Sequence, residues 1–316
     1  MPASGVIARL LVGGGPGRLI GRAVLAAGML YLLYTLVVGV QELGRLDWGR
    51  YLQATLAGFA LYPLSLLCQA LAWALALGLA RRNRLHADWR DVRIYASSHL
   101  VRRLPGGFWH VASRVGAYRE QGLPSRVPIA ASVGELLLLL GAAAAVYLVI
   151  TFFPIQAEAL EVLAIVAAGG LVGWAVAYLL TSLPWLGGAG LASARTPRSR
   201  TALVYAAVAE LYVIALVVGG AILWPFLSAG SADGFTLLQA IAIWALVGGV
   251  GAVAALVPGG FGVRDLTLFV VLAAYLAPPA PTIVTLLFRL LFVASDLLWG
   301  SALFLVARRL SPGQPA

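Results

Sequence analysis

The chain has no lysine, a single cysteine and few charged residues of any kind. Charged residues make up 11% of its 316 residues, hydrophobic residues make up 61%, and the mean hydropathy is +0.94. One cysteine, Cys68, excludes a disulfide framework and a cysteine-based metal cluster. A chain this apolar lacks the polar residues that cover a soluble domain, so the composition predicts an all-α protein that crosses a membrane several times.

Motifs for catalysis and cofactor binding are also missing. The three histidines, His86, His99 and His110, are too far apart to share one helical turn, and no glycine-rich phosphate loop or nucleophile elbow occurs. The polar segments are too short for a separate soluble catalytic domain. We therefore expect no catalytic residue, no metal and no cofactor, and a single integral membrane domain over residues 1–316.

The apolar segments predict about eight transmembrane helices. Most of them approach or exceed the ~20 residues that cross the hydrocarbon of a bilayer. The predicted spans are Ala23 to Val40, Ala54 to Leu79, Val127 to Phe153, Val162 to Leu183, Ala202 to Leu227, Leu237 to Val257 and Thr282 to Ala307, with Gly262 to Ala277 as a tilted or half span.

All 22 basic residues are arginines, and the net charge is +10. With eight spans and a cytoplasmic N-terminus, the cluster from Arg81 to Arg126 and the arginines at both ends fall on the cytoplasmic side, and only Arg45 and Arg50 fall outside. This is the positive-inside pattern. It predicts a multi-pass protein of the cell membrane (the inner membrane of a bacterium) with both termini in the cytoplasm, and it favours anionic lipid headgroups over nucleic acid as partners.

One short string occurs twice among the apolar segments. Leu104-Pro105-Gly106-Gly107-Phe108 is followed by Arg114, and Val257-Pro258-Gly259-Gly260-Phe261 is followed by Arg264. Proline ends a helix and paired glycines let the backbone turn, so each string predicts an interrupted or re-entrant membrane helix. Such backbone is tolerated at membrane depth where it lines a cavity, which points to a transport site. The candidate residues here are Pro105, Gly106, Gly107, Gly259 and Gly260.

The repeated string suggests an internal duplication. The pseudo-halves cover about residues 20–183 and 200–310 and are joined by a linker rich in Gly, Pro and Ser. Each half has two strong spans, the string, a shorter piece and a further span. In the first half that piece, Phe108 to Gln121, carries too many charges to cross in contact with lipid, which favours a re-entrant or interfacial helix.

Four ionisable residues lie inside predicted spans: Glu135, Glu210, Arg289 and Asp296. A charge at the centre of a membrane helix costs about 2.5–3.5 kcal/mol, so these side chains must face the protein interior. We expect Arg289 to pair with Glu135 or Glu210. Two interpretations remain open: ion pairs that only lock helices together, or a pathway for a substrate or an ion.

These residues resemble a known family. Pro258 to Asp265, then an apolar run and Arg289, resembles the signature of the lysylphosphatidylglycerol synthase transmembrane region family, whose multiple peptide resistance factor members flip aminoacylated phosphatidylglycerol. Leu104 to Gly107 with Arg114 and Glu135 resembles its other recurrent block. The family usually has Glu where Asp265 stands. Its full-length lipid synthases continue into a soluble transferase domain, so the resemblance implies a stand-alone member without the transferase.

Physics and resemblance together favour a lipid flippase for an anionic or aminoacylated phospholipid or a polyprenyl-phosphate-linked lipid. Arg114 and Arg264 would bind phosphate beside helix N-termini. Glu135, Glu210, Asp265 and Asp296 would hold a cationic headgroup, exchange protons, or both. Two alternatives remain: a membrane-embedded lipid-carrier transferase, for which Asp88 and Asp91 are the available carboxylates, and an accessory subunit of a membrane enzyme.

Overall fold

The computed structural model describes residues 47–82, 88–101, 109–152, 158–182, 198–231, 234–254 and 262–310. Within these ranges the secondary structure is helical, without strands. Nine helices are present: α1 Trp48–Arg82, α2 Trp89–Leu100, α3 Trp109–Arg119, α4 Arg126–Phe152, α5 Glu158–Ser182, α6 Arg198–Gly230, α7 Leu237–Ala254, α8 Val263–Ala273 and α9 Ala280–Leu310.

Five of these helices are long and apolar enough to cross a membrane: α1, α4, α6, α7 and α9. The protein is therefore a helical, multi-pass membrane protein. The predicted count of about eight spans is not confirmed within the described residues. Helix α5 has a shorter apolar stretch, Ala164–Val176, and α8 covers only part of the predicted half span. The first predicted span, Ala23 to Val40, lies outside the described residues.

Both Pro-Gly-Gly-Phe strings also lie outside the described residues, so the candidates Pro105, Gly106, Gly107, Gly259 and Gly260 are not placed. The helices that follow them are described. Helices α3 and α8 have 11 residues each, which at ~1.5 Å per residue is about 16 Å, or half of a ~30 Å hydrocarbon layer. Helix α8 begins after Gly262, whose φ of 89° lies in the left-handed region that favours glycine.

Helix α2, Trp89–Leu100, was not predicted from the sequence. The helix begins at Trp89, and the Asp88 side chain caps it by accepting a hydrogen bond from the backbone N–H of Arg90 (3.0 Å). Its inner face buries polar side chains among apolar ones, including Asp91, Ser98 and His99. Because those polar groups and the arginines Arg90 and Arg93 lower the hydropathy, the segment did not stand out as a helix of the bundle.

The helix contacts of the two halves follow an approximate two-fold relation. Helices α1 to α4 correspond in order to α6 to α9, with the short helices α3 and α8 in the same place. Helix α1 packs on α6, α2 packs on α9, and α7 packs on α4. Each contact between halves thus has its counterpart, as two repeats around a pseudo-two-fold axis require. The duplication of the sequence itself stays a prediction.

Helix α5 has no counterpart among the described helices and packs on α4 and α6. Glycine allows the close approach: a Cβ on Gly173 would lie 2.4 Å from the backbone oxygen of Tyr205 in α6. Gly220 in α6 meets α7 in the same way, since a Cβ there would lie 2.5 Å from Cα of Ile241. Small residues at such crossings increase van der Waals contact between membrane helices, which holds α6 at the centre of the bundle.

Candidate functional site

Arg114, on the short helix α3, forms the centre of a buried polar cluster. Its side chain is 2% exposed, and its guanidinium carbon lies 4.1 Å from the ring centroid of Trp73 and 4.4 Å from that of Tyr95. Its Nε donates a hydrogen bond to Ser98 Oγ (2.8 Å), and its Nη1 donates to the carboxylate of Glu135. Helices α1, α2 and α4 therefore all contribute to holding this one cation.

The Glu135 carboxylate lies between this cluster and a small cavity. It accepts a hydrogen bond from the Tyr95 hydroxyl (3.4 Å) and remains 18% exposed. The cavity is small, with room for about one water molecule, and Glu135, Trp73, Tyr205 and Tyr212 line it together with apolar side chains. Glu135 is the single charged residue among the described residues that line the cavity. A water molecule or a small cation there would therefore lie beside one carboxylate among aromatic rings.

A hydrogen-bond chain fixes Trp73 in its place over Arg114. The indole Nε1 of Trp73 donates to the hydroxyl of Tyr118 (2.9 Å), and that hydroxyl donates to Asp91 Oδ1 (3.1 Å). Burial, and then the Asp91 carboxylate, raise the pKa of the Tyr118 phenol well above its ordinary value, so Tyr118 is a neutral donor at physiological pH.

These hydrogen bonds involve Asp91, one of the two carboxylates considered for a transferase. Asp88 caps α2, while Asp91 is 1% exposed and accepts from Tyr118. The two side chains thus have separate structural roles. Across the part of the chain that the structure describes, no group of three or more His, Cys, Asp or Glu side chains is arranged to hold a metal ion.

The second half carries a corresponding pair with the charges exchanged. Arg289 of α9 donates from Nη1 to Asp265 Oδ2 of the short helix α8 (2.9 Å), and the two side chains are 30% and 23% exposed. The neighbouring Arg264 stacks on aromatic rings, with its guanidinium carbon 4.2 Å from the centroid of Trp244 and 4.9 Å from that of Phe292. Three predicted site residues, Arg264, Asp265 and Arg289, are therefore adjacent.

The expected partner of Arg289 was wrong. Arg289 pairs with Asp265, and Glu135 pairs with Arg114. The physical reason is that each short helix packs directly against the membrane-length helix that follows it, α3 on α4 and α8 on α9. Each short helix thereby brings its own counter-charge, and neither pair needs a side chain from the other half.

Asp296 belongs to a third cluster that the sequence did not predict. His99 Nε2 of α2 lies 2.9 Å from Asp296 Oδ1, and the Tyr62 hydroxyl of α1 lies 3.3 Å from the same His99 nitrogen and donates to Asp296. The exposed fractions of the three residues are 4% or less. This cluster joins α1, α2 and α9 in the interior of the bundle.

Glu210 is separate from these clusters. It lies on α6 where α5 crosses, and its carboxylate oxygens lie 3.0 and 3.2 Å from the position that a Cβ on Gly169 would occupy. The absence of a side chain at Gly169 makes room for the carboxylate. The structure therefore brings Glu210 to the contact with α5 and not to Arg289.

Sequence reasoning missed the residues that surround the charges: Tyr62, Trp73, Tyr95, Ser98 and His99. One signal was available, because Tyr95, Ser98 and His99 follow the i, i+3, i+4 spacing of one helical face. That spacing becomes informative only when α2 is recognised as a helix.

No protein-family model, no curated protein and no solved structure matches this chain. The buried charges, the two short helices and the cavity beside Glu135 are therefore the observations that bear on function.

Proposed function

We propose that this protein is a lipid translocase of the lysylphosphatidylglycerol synthase transmembrane region family. It moves an anionic or aminoacylated phospholipid, or a polyprenyl-phosphate-linked lipid, between the leaflets of the cell membrane. The observation that carries the proposal is the pair of short helices α3 and α8. Each follows a Pro-Gly-Gly-Phe string, is too short to cross the bilayer, and forms an ion pair with a membrane-length helix.

The placement of the ion pairs favours a pathway over a purely structural lock. Two spanning helices can be locked by a pair that joins them directly, whereas here one partner of each pair sits on a helix of 11 residues. Half-crossing helices in transporters end near the membrane midplane and present polar groups to the substrate. Charges at that depth are expensive and mark substrate or ion pathways.

The second-half cluster has the chemistry of a phosphate site. Gly262 is the N-cap residue of α8 and has no side chain to cap the first N–H groups, and Arg264 and Arg289 lie in or beside that region. Backbone N–H groups at a helix N-terminus, the helix dipole and a guanidinium all attract a phosphate. We assign the phosphate end of the lipid to this cluster.

We assign the cationic end of an aminoacylated headgroup to the side chains around Glu135, which must move apart to admit it. A carboxylate flanked by Trp73, Tyr205 and Tyr212 offers an ammonium both a counter-charge and aromatic faces. Acyl chains would stay in the bilayer while the headgroup passes along the polar interior. A groove of this kind needs to accommodate the headgroup alone.

Reconstitution with fluorescent lipids in proteoliposomes tests the proposal. We expect the protein alone to exchange labelled phospholipid between leaflets, whereas a transferase or an accessory subunit produces no exchange. Glu135→Gln and Arg289→Leu should abolish exchange while the protein still inserts and purifies as one monodisperse species. Arg119→Leu, which changes an exposed arginine of α3, is the matched control and should exchange lipid like the wild type.

Arg264→Ala separates the headgroup chemistries. It should weaken binding of a phosphate-bearing lipid, less so at high salt, and leave a phosphate-free lipid almost unaffected. Native mass spectrometry with both lipids measures this. Equal loss for the two lipids would show that Arg264 does not recognise phosphate.

A further inference from the structure

The His99–Asp296 pair differs in chemistry from the other two interior ion pairs. Within the described helices, the pairs Arg114–Glu135 and Asp265–Arg289 each contain an arginine, which stays protonated in proteins. Histidine changes charge between about pH 5 and pH 8, and a carboxylate can take a proton as well. His99 Nε2 lies 2.9 Å from Asp296 Oδ1. Among these three pairs, this is the one in which both members can exchange a proton.

Because this pair is buried, a change in its protonation state strongly affects the electrostatic energy of its surroundings. His99 and Asp296 are 2% and 1% exposed, so a change of one charge is poorly screened by water. Among the described residues, Tyr62 on α1 and Tyr95 on α2 contact the pair. Arg114 on α3 contacts Tyr95 and Ser98, and Arg289, which pairs with Asp265 on α8, lies two turns before Asp296 on α9. Both arginines keep their charge.

Helix α2 connects this pair to the Arg114 cluster through one face. The Tyr95 ring stacks on the His99 ring (5.7 Å between centroids) and also lies 4.4 Å from the Arg114 guanidinium carbon. Ser98 accepts a hydrogen bond from Arg114, and Tyr95 donates one to Glu135. A change in the contact between His99 and Asp296 of α9 therefore affects the contacts of Arg114 and Glu135 through packed side chains.

We propose that His99 and Asp296, with Tyr62, form a proton-binding site that couples lipid movement to a proton gradient. The site takes one proton from water on one side of the membrane, which raises the charge of the pair by one and changes the hold of α9 on α2. It releases that proton to water on the other side after α2 and the Arg114 cluster have rearranged. This coupling rests on the proposed translocase function, whereas proton binding at the site does not.

The first experiment uses the wild-type protein in proteoliposomes with an imposed pH difference. If one proton moves per lipid, a difference of one pH unit should shift the distribution of labelled lipid between leaflets by up to tenfold, and the shift should reverse with the gradient. His99→Gln and Asp296→Asn should lose this response. His110→Gln, which removes a histidine of α3, should keep it. A wild-type distribution that ignores the gradient would overturn the coupling, and so would a wild-type response in His99→Gln.

The second experiment detects proton binding without transport. With ¹⁵N-labelled histidine, the resonance that disappears in His99→Gln should titrate between about pH 5 and pH 8. Its midpoint should move in Asp296→Asn and move back in Asp296→Glu. Tyr62→Phe, which keeps both titrating groups and removes a hydrogen bond to Asp296, should shift the midpoint. A His99 resonance that does not titrate would overturn the site.

The two experiments distinguish the failure of each proposal. Lipid exchange that is insensitive to pH gradients leaves the translocase in place and removes the coupling. A titrating His99 in a protein that exchanges no lipid supports proton binding, but overturns the translocase and the coupling with it.

Discussion

The two halves place an ion pair at the same point of the fold but with opposite polarity. In the first half the short helix α3 supplies the cation, Arg114, and the long helix supplies the anion, Glu135. In the second half α8 supplies the anion, Asp265, and α9 supplies the cation, Arg289. Glu135 and Arg289 even share a position, since each lies nine residues after the first residue of its helix. The backbone arrangement repeats while the sign of the charge does not.

Burial separates the two pairs further. Arg114 is 2% exposed, and this one residue both stacks on aromatic rings and pairs with a carboxylate. In the second half two arginines share these roles, since Arg264 stacks on aromatic rings and Arg289, which is 30% exposed, forms the ion pair. The contacts between halves also differ, in polarity. Helix α2 meets α9 through His99 and Asp296, while α7 meets α4 through Gly249 and Ala143. The first-half ion pair is thus the more buried of the two.

The sharpest way to break this comparison is to remove the arginine of each pair. Arg114→Leu leaves Glu135 without its buried partner and should destabilise the protein by about 3–5 kcal/mol. Arg289→Leu removes half of a partly exposed pair and should cost about 1 kcal/mol or less. Midpoints of thermal unfolding in detergent measure both. Similar losses for the two variants would mean that burial does not distinguish the pairs.

An intermediate loss of stability is expected from a substitution at Gly219, which packs against the indole on which Arg264 stacks. A Cβ on Gly219 would lie 1.8 Å from Nε1 of Trp244, the residue on which Arg264 stacks. In Gly219→Ala the indole must move, which should cost about 1–3 kcal/mol and weaken the hold on Arg264. Gly116→Ala on α3 is the control, because nothing lies within 4 Å of its added Cβ. The control should be neutral or slightly stabilising. Unchanged stability in Gly219→Ala would show that Trp244 can repack freely.

Much of the fold could be predicted from the sequence because long apolar segments report membrane helices directly. The span predicted from Val127 to Phe153 is α4, Arg126–Phe152, and the last span, Thr282 to Ala307, lies within α9. The short helices were also anticipated. Helix α2 was not, since its inner face buries Asp91, Ser98 and His99 and its hydropathy resembles that of a loop.

The site could be predicted in its charges but not in its partners. Glu135, Arg289 and Asp296 were recognisable because an isolated charge in an apolar segment must be satisfied. Which helices are neighbours is a property of packing, so the partners Arg114, Asp265 and His99 could not be read from spacing along the chain. The aromatic rings around Arg114 come from α1 and α2, and aromatic residues are too common in membrane helices to indicate such a role.

The smallest expected effect tests the hydrogen bonds that hold the first-half cluster. Tyr118→Phe removes the hydroxyl between Trp73 and Asp91 and should destabilise the protein by about 1 kcal/mol, while Tyr275→Phe, at a residue that is 62% exposed, should have no effect. Because the folded pKa of Tyr118 is raised, its contribution is complete at every pH below the unfolded value of about 10 and is lost only as the pH rises through the higher folded value. The difference between wild type and Tyr118→Phe should therefore be equal at pH 6 and pH 8. A difference that changes between these two values would mean that a group other than Tyr118 titrates in that range.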